Sequence, residues 1–251
     1  SPDSTGLTLL YYSPDAGSTL VIRDTIPIEW GLIYGIAADI TENIVYISKD
    51  NPTYGGVMFS SDGGSSWENR GTYPGGNPSS GVVAGEISFS ACRFSTDFGF
   101  NAPRGELVGI DGSHSFEPFD YGGGSIAGEA YYVSITGLLL RTWCYADTFA
   151  IINDDVRGFF ITAGNIDGEL WGCKNDTLLF SADHGSTFTE LTPAPMSLDI
   201  SPFEYDNWDF IRGNTSGSLF IARSDYDEWM HGGYIKICYT ENFGDTFVCI
   251  T

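Results

Sequence analysis

Apolar and polar positions alternate along this chain in short runs separated by clusters of Gly, Ser, Asp and Asn, the period-two signature of half-buried β-strands. The cleanest stretch reads 32–39, 43–49, 56–61 and 66–70, with turn residues between the runs. A similar four-run pattern fits 158–191 and 208–251, and a noisier one fits 85–119. Two more runs, 138–142 and 149–152, flank a short break. No segment carries the period of a long amphipathic helix. The pattern predicts an all-β chain built from four-stranded antiparallel units.

One turn recurs between the third and fourth runs. It reads Ser60-Ser61-Asp62-Gly63-Gly64-Ser65-Ser66-Trp67 and Ser181-Ala182-Asp183-His184-Gly185-Ser186-Thr187-Phe188, with a near copy at Ser13-Pro14-Asp15-Ala16-Gly17-Ser18-Thr19-Leu20. Two degenerate copies are Thr240-Glu241-Asn242-Phe243-Gly244-Asp245-Thr246-Phe247 and Gly109-Ile110-Asp111-Gly112-Ser113-His114-Ser115-Phe116. Apolar or aromatic pairs precede every copy: Tyr11-Tyr12, Met58-Phe59, Leu107-Val108, Leu179-Phe180 and Cys238-Tyr239. The chemistry suits a tight turn. The carboxylate accepts turn amides, the glycine permits a positive φ, and the aromatic buries against the next layer. The octapeptide resembles the Asp-box of the sialidase-like β-propellers, with structural box residues Asp15, Asp62, Asp111, Asp183 and Asn242.

The resemblance implies a β-propeller in which each box closes a blade. Successive box positions lie 47, 49, 72 and 59 residues apart, against the roughly 40 to 50 residues that a four-stranded blade needs. The long interval asks for one further, shortened copy, and Cys144-Tyr145-Ala146-Asp147-Thr148-Phe149 fits it. The expectation is a single domain over 1–251 with six blades, the first of them incomplete. That blade shows only its third and fourth strands, 7–12 and 19–23. An altered strand assignment, processing that removed a preceding segment, or completion by another chain each accounts for this. The start at Ser1 without Met favours processing or truncation.

Composition narrows the partners. The chain has 251 residues, 42% hydrophobic, with 33 acidic against 11 basic side chains and a net charge of −22. Such a surface repels nucleic acid and anionic membrane. No apolar run is long enough to span a bilayer. Cys238 and Cys249 flank the last box symmetrically, which predicts a disulfide across one hairpin. The pairing of Cys92, Cys144 and Cys173 stays open, as buried thiols or a second bridge. Sequons begin at Asn175 and Asn214 in expected inter-strand loops. Together these features predict a secreted or extracellular glycoprotein.

The resemblance implies a sialidase only if the site is present: three arginines, a Tyr with a carboxylate partner, and an Asp acid/base. The only echo of the family's Arg-Ile-Pro motif is Arg23-Asp24-Thr25-Ile26-Pro27, which follows a box and is interrupted. Xyloglucan-cleaving glycosidases resemble this chain in the box alone and use two propellers. No catalytic residues are assigned. The boxes mark one face, so the opposite face is the expected binding side, with Trp30, Trp208, Asp227, Glu228, Trp229 and His231 as candidate ligand residues: aromatic rings stack on sugars while carboxylates take hydroxyls. Asn153-Asp154-Asp155 and Asp225-Tyr226-Asp227-Glu228 offer oxygens for Ca²⁺ but follow no calcium-loop spacing, so solvated charge is expected and no cofactor or metal is assigned. The function expected is non-enzymatic recognition or assembly, with glycan or extracellular protein as partner. The alternatives are a divergent sialidase-type glycoside hydrolase, or a structural module that self-associates through the incomplete first blade by strand donation.

Overall fold

The computed structural model describes residues 8–12, 19, 21–26, 32–50, 56–71, 78–89, 93–102, 118–145, 147–156, 160–174, 177–191, 207–213, 215–227 and 232–250. Its first two strands, β1 (Thr8–Tyr12) and β2 (Val21–Ile26), pair as an antiparallel ribbon with a bulge between Leu10 and Tyr11. Five meandering sheets follow. Blade one is β3 (Leu32–Ala38), β4 (Val45–Asp50), β5 (Gly56–Ser60) and β6 (Glu68–Asn69). Blade two is β7 (Ser79–Ser80), β8 (Ile87–Phe89) and β9 (Arg93–Ser95). Blade three is β10 (Pro118–Gly123), β11 (Ala130–Ser134), β12 (Leu139–Thr142) and β13 (Ala150–Asn153). Blade four is β14 (Phe160–Ala163), β15 (Leu170–Lys174), β16 (Thr177–Ser181) and β17 (Thr189–Leu191). Blade five is β18 (Asn207–Arg212), β19 (Leu219–Asp227), β20 (Gly232–Thr240) and β21 (Val248–Ile250).

The first strands of successive blades stand side by side. Ser80 Oγ donates to Ala38 O at 2.5 Å, Gly123 N donates to Ser79 Oγ at 2.7 Å, and Asn165 Nδ2 donates to Gly213 O at 2.9 Å. The approach is closest at Gly123, where a Cβ would stand 2.2 Å from Ser80 O, so only glycine fits. The inner strands line one axis and each sheet runs outward from it. The chain is a β-propeller.

The core lies between blades, because strand residues alternate faces and each sheet offers one face to each neighbour. Tyr46, Val57 and Phe59 of blade one pack on Ile87 and Phe89 of blade two. Tyr131, Val133 and Leu139 of blade three pack on Ile161, Ala163, Leu170 and Leu179 of blade four. Trp171, Cys173 and Leu178 of blade four pack on Leu219, Ile221 and Cys238 of blade five. The ribbon joins in the same way: Leu10 and Ile26 pack on Ile47 and Met58.

The blade count is five rather than six. The strands expected of an incomplete first blade do pair, but among the described residues the ribbon has no inner strand to line the axis, so it stands as an attachment to blade one. The box turns take the expected place between third and fourth strands. In blade one, Ser60 Oγ donates to Asp62 Oδ1, the Ser65 and Ser66 amides donate to the same oxygen at 2.9 and 2.8 Å, and Ser66 Oγ donates to Asp62 Oδ2 at 2.7 Å. Asp183 repeats this with Ser181 and Thr187, and Asn242 with Thr240 and Thr246.

Blade two places its network on an octapeptide that the sequence pattern passed over, Ser95 to Ala102, in which Asp97 accepts from Ser95 Oγ and from both the amide and side chain of Asn101. Asp111 and Asp15 lie outside the described residues. With Asp97 and Cys144 as box centres the steps become 35, 47, 39 and 59 residues, and the long gap disappears.

Candidate functional site

On the expected binding face, Trp30, Glu228, Trp229 and His231 lie outside the described residues, as do the sequon residues Asn175 and Asn214 and also Cys92. Trp208 lies in β18, paired with Arg223, and Asp227 ends β19, paired with Gly232. Strands β19 and β20 have nine residues each, against five each for β15 and β16. Four extra residues at about 3.3 Å each carry this hairpin about 13 Å past its counterpart, away from the boxes. Asp227 therefore stands at the far end of the longest pair of strands in the described residues. Cys238 and Cys249 are cross-strand partners on β20 and β21 and form a disulfide with Cα atoms 4.1 Å apart.

The box face carries a second polar constellation, built on the turns between first and second strands. Four of them read Gly81-Val-Val-Ala-Gly85-Glu86, Gly124-Ser-Ile-Ala-Gly128-Glu129, Gly164-Asn-Ile-Asp-Gly168-Glu169 and Gly213-Asn-Thr-Ser-Gly217-Ser218, at steps of 43, 40 and 49 residues. Each is closed by a bond from its first amide to its last carbonyl, at 2.9, 2.7, 2.9 and 3.0 Å. Glu86, Glu129 and Glu169 are buried. One oxygen caps the residue's own turn: Glu86 Oε2 accepts from Val83 N, Glu129 Oε2 from Ser125 N, and Glu169 Oε2 from Asn165 N.

The other oxygen reaches the following blade. Glu86 Oε1 accepts from Gly128 N at 3.0 Å and Glu169 Oε1 from Ser216 Oγ at 2.5 Å. Asp39 plays this part in blade one, accepting from Gly85 N at 2.9 Å. These carboxylates run from blade to blade as ties. The spacing of the turns was readable in the sequence, but glycine-rich turns are common, and it is the buried glutamate of three of the four that sets them apart.

Glu129 departs from the series. Its Oε1 accepts from Tyr131 Oη at 2.8 Å and from Arg141 Nε at 2.7 Å, with Arg141 Nη2 also at 2.7 Å. The phenol spends its only hydrogen on Glu129, so its 2.9 Å contact with His184 Nδ1 requires the histidine to donate. His184 Nε2 and Arg141 Nη2 then face Asp167 Oδ1 at 3.6 and 3.7 Å. Glu129, Asp167 and His184 bring one potential metal-ligand atom each within 4.8 Å of one another. The Arg141 guanidinium already stands between the two carboxylates, so the group is held together as an ion network. Burial, the Glu129 charge and the hydrogen bond to it hold the Tyr131 phenol well above the usual range.

Solved structures of similar fold include the GH74 xyloglucanase from Xanthomonas campestris, at 15% identity and a TM-score of 0.56 over 98% of this chain and 38% of that one. The GH74 enzyme of Niastella koreensis matches at 15% identity and a TM-score of 0.53 over 86% of this chain and 31% of that one. YCF48 from Cyanidioschyzon merolae matches at 14% identity and a TM-score of 0.47 over 87% of this chain and 84% of that one. The chain spans about a third of the length of the two enzymes. At such identities the likeness shows the propeller fold alone. No protein-family model matches the chain, and no curated protein matches it in sequence.

The arginines are distributed as struts. Arg23 donates to Gly63 O and Asp62 O, joining the ribbon to the blade-one box. Arg70 pairs with Glu68 and lies over Phe59 and Phe100. Arg93 donates to Ala102 O. Arg212, in the last inner strand, donates across the axis to Gly124 O at 2.6 Å, Ser80 O at 2.9 Å and Gly81 O. Among the described residues no three arginines converge on one space. No helix is long and apolar enough to cross a membrane among them.

Proposed function

We propose that this chain is an extracellular Asp-box propeller that binds a glycan or a protein on the face away from its box turns, and that it recognises or assembles rather than hydrolyses. The carrying observation is the β19–β20 hairpin, which lengthens one blade on that face and sets Asp227 at its end. In the sequence, Glu228, Trp229 and His231 follow directly, an acidic-aromatic set suited to sugar hydroxyls and sugar faces or to a polar peptide. Trp208 stands near the start of the inner strand of blade five, on the same side, and in the sequence Trp30 precedes the inner strand of blade one.

The box face supports the non-hydrolytic part. A sialidase-type Tyr must lose its proton easily. Tyr131, paired with Glu129, is buried and pushed the other way, and the described arginines are committed to carbonyls and neighbouring side chains. The disulfide fits an oxidising compartment, and glycans on Asn175 and Asn214 belong to the same reading.

A glycan array run beside a fluorogenic sialoside assay tests this. The expected result is array or partner binding that drops by about tenfold or more in Trp229→Ala and Asp227→Ala, with no turnover. Sialoside turnover abolished by Arg141→Ala overturns it.

A further inference from the structure

Each blade of this propeller has one face made to be covered by the blade before it and one by the blade after it, and the register identifies them. The residue two places before each box centre's Ser or Thr neighbour pair faces backward: Met58 packs toward the ribbon, Leu140 toward Phe94 of blade two, Leu179 toward blade three, and Cys238 toward blade four. The next residue in the chain faces forward. In blade one it is Phe59, which with Tyr46 is covered by Ile87, Phe89 and Phe98 of blade two. In blade four it is Phe180, which with Trp171 is covered by Leu219, Ile221 and Phe243 of blade five.

Two such faces are left over. The forward face of blade five is a cross-strand row, Ile211–Phe220–Tyr239–Val248. Phe220 and Tyr239 stack with ring centroids 4.2 Å apart, whereas the covered pairs Tyr46–Phe59 and Trp171–Phe180 are tilted at 5.8 and 4.9 Å, yet Ile211 is 54% and Val248 70% exposed. The backward face of the ribbon carries Tyr11, in the position of Met58 and Cys238, opposite Ile22; they are 50% and 55% exposed. Nothing covers either row among the described residues. By the rule that joins the other blades, a backward face seats on a forward face.

We propose that the ribbon of one copy seats on blade five of a second copy, so that Tyr11 and Ile22 cover Phe220, Tyr239 and Val248 in a head-to-tail contact. This rests on the reading of the chain as an assembly propeller and names its partner as itself. The two patches differ, so the contact is heterologous: it builds chains or closed rings rather than two-fold dimers. The net charge of −22 opposes the approach of copies, so salt strengthens the association by screening while the apolar contact is retained.

The test is sedimentation of the purified chain over a concentration series at low and high salt. Wild type is expected to gain mass with concentration, and more so at high salt. Val248→Glu and Ile22→Glu, both at exposed positions, each weaken association by about tenfold or more while keeping the wild-type melting profile. An equimolar mixture of the two variants gives dimers and nothing larger, because each retains one intact patch. A wild type that stays monomeric in high salt overturns the proposal, whatever the outcome of glycan binding. Variants that assemble like wild type, or a mixture that stays monomeric, overturn it too. The glycan experiments report on the opposite face, so the two readings fail separately.

Discussion

At the scale of single residues, Cys144 shows what the box turn requires. It stands where the other boxes have Asp or Asn, and the turn forms around it: Thr148 N donates to its sulfur at 3.3 Å, and the Thr148 and Thr142 hydroxyls lie at 3.0 and 3.7 Å. Burial pushes its thiol up, and the Thr148 and Thr142 hydrogen bonds outweigh this and bring it down. A sulfur accepts these bonds more weakly than a carboxylate. Cys144→Asp is therefore expected to raise stability by about 1 kcal/mol, read from the denaturation midpoint. The same chemistry sets an acid limit. The Ser66 hydroxyl and amide, with Ser60, hold the Asp62 carboxyl down at about 2. Asp183 is lowered as well: burial raises it, and Thr187 and Ser181 more than compensate. Carboxyls depressed in the folded state stabilise it above their unfolded value near 4 and lose that contribution as pH falls through the folded value. Melting temperature is expected to fall steeply between pH about 4 and 2 and to be less acid-sensitive in Asp62→Asn.

At the scale of elements, the turns between first and second strands do the work of joining blades. Glu129 is buried against Arg141, which is itself largely buried, so removing its charge strands a cation. Glu129→Gln is expected to cost about 3 kcal/mol, measured by chemical denaturation. Glu86→Gln keeps an acceptor for the Gly128 amide and is expected to cost only about 1 kcal/mol; equal costs would mean that the Arg141 pair is not the source. These turns also mark the limit of what the sequence made legible. The four-run pattern found blades one, four and five because their strands alternate cleanly and their boxes end in Trp67, Phe188 and Phe247. It passed over Ser95 to Ala102, where Asn101 and Ala102 replace the hydroxyl and the aromatic, although the backbone geometry is the same. The ties from Asp39, Glu86 and Glu169 were beyond it because each partner is a backbone amide or a serine some 40 residues on, and a backbone donor leaves no residue type to recognise. The candidate ligand face was legible only as the side opposite the boxes and the aromatic and acidic residues expected there.

At the scale of the whole molecule, a propeller resembles a repeat array, in which each blade touches its neighbours and cooperativity is carried from one interface to the next. Arg212 breaks that rule. From the inner strand of blade five it reaches carbonyls of blades two and three, 131 and 88 residues earlier in the chain, and so skips blade four. Burial presses its pKa down while the charges of Glu86 and Glu129 press it up, and three carbonyl acceptors satisfy a cation that would otherwise be costly to desolvate. The link matters most for blade five, which has an exposed forward face and otherwise rests on blade four alone among the described contacts. Arg212→Met keeps much of the side-chain volume and removes the three bonds. The three carbonyls are then left under-satisfied in a partly buried space, at an expected total cost of about 3 kcal/mol. The loss should be uneven: hydrogen exchange in β18 to β20 is expected to quicken first, while β10 to β13 stay protected, and the unfolding curve should broaden or split as blade five separates from the rest. A single transition that merely shifts to lower denaturant, with exchange quickened equally in all blades, would show that the blade-to-blade interfaces alone carry the cooperativity and that the strut across the axis is dispensable for it.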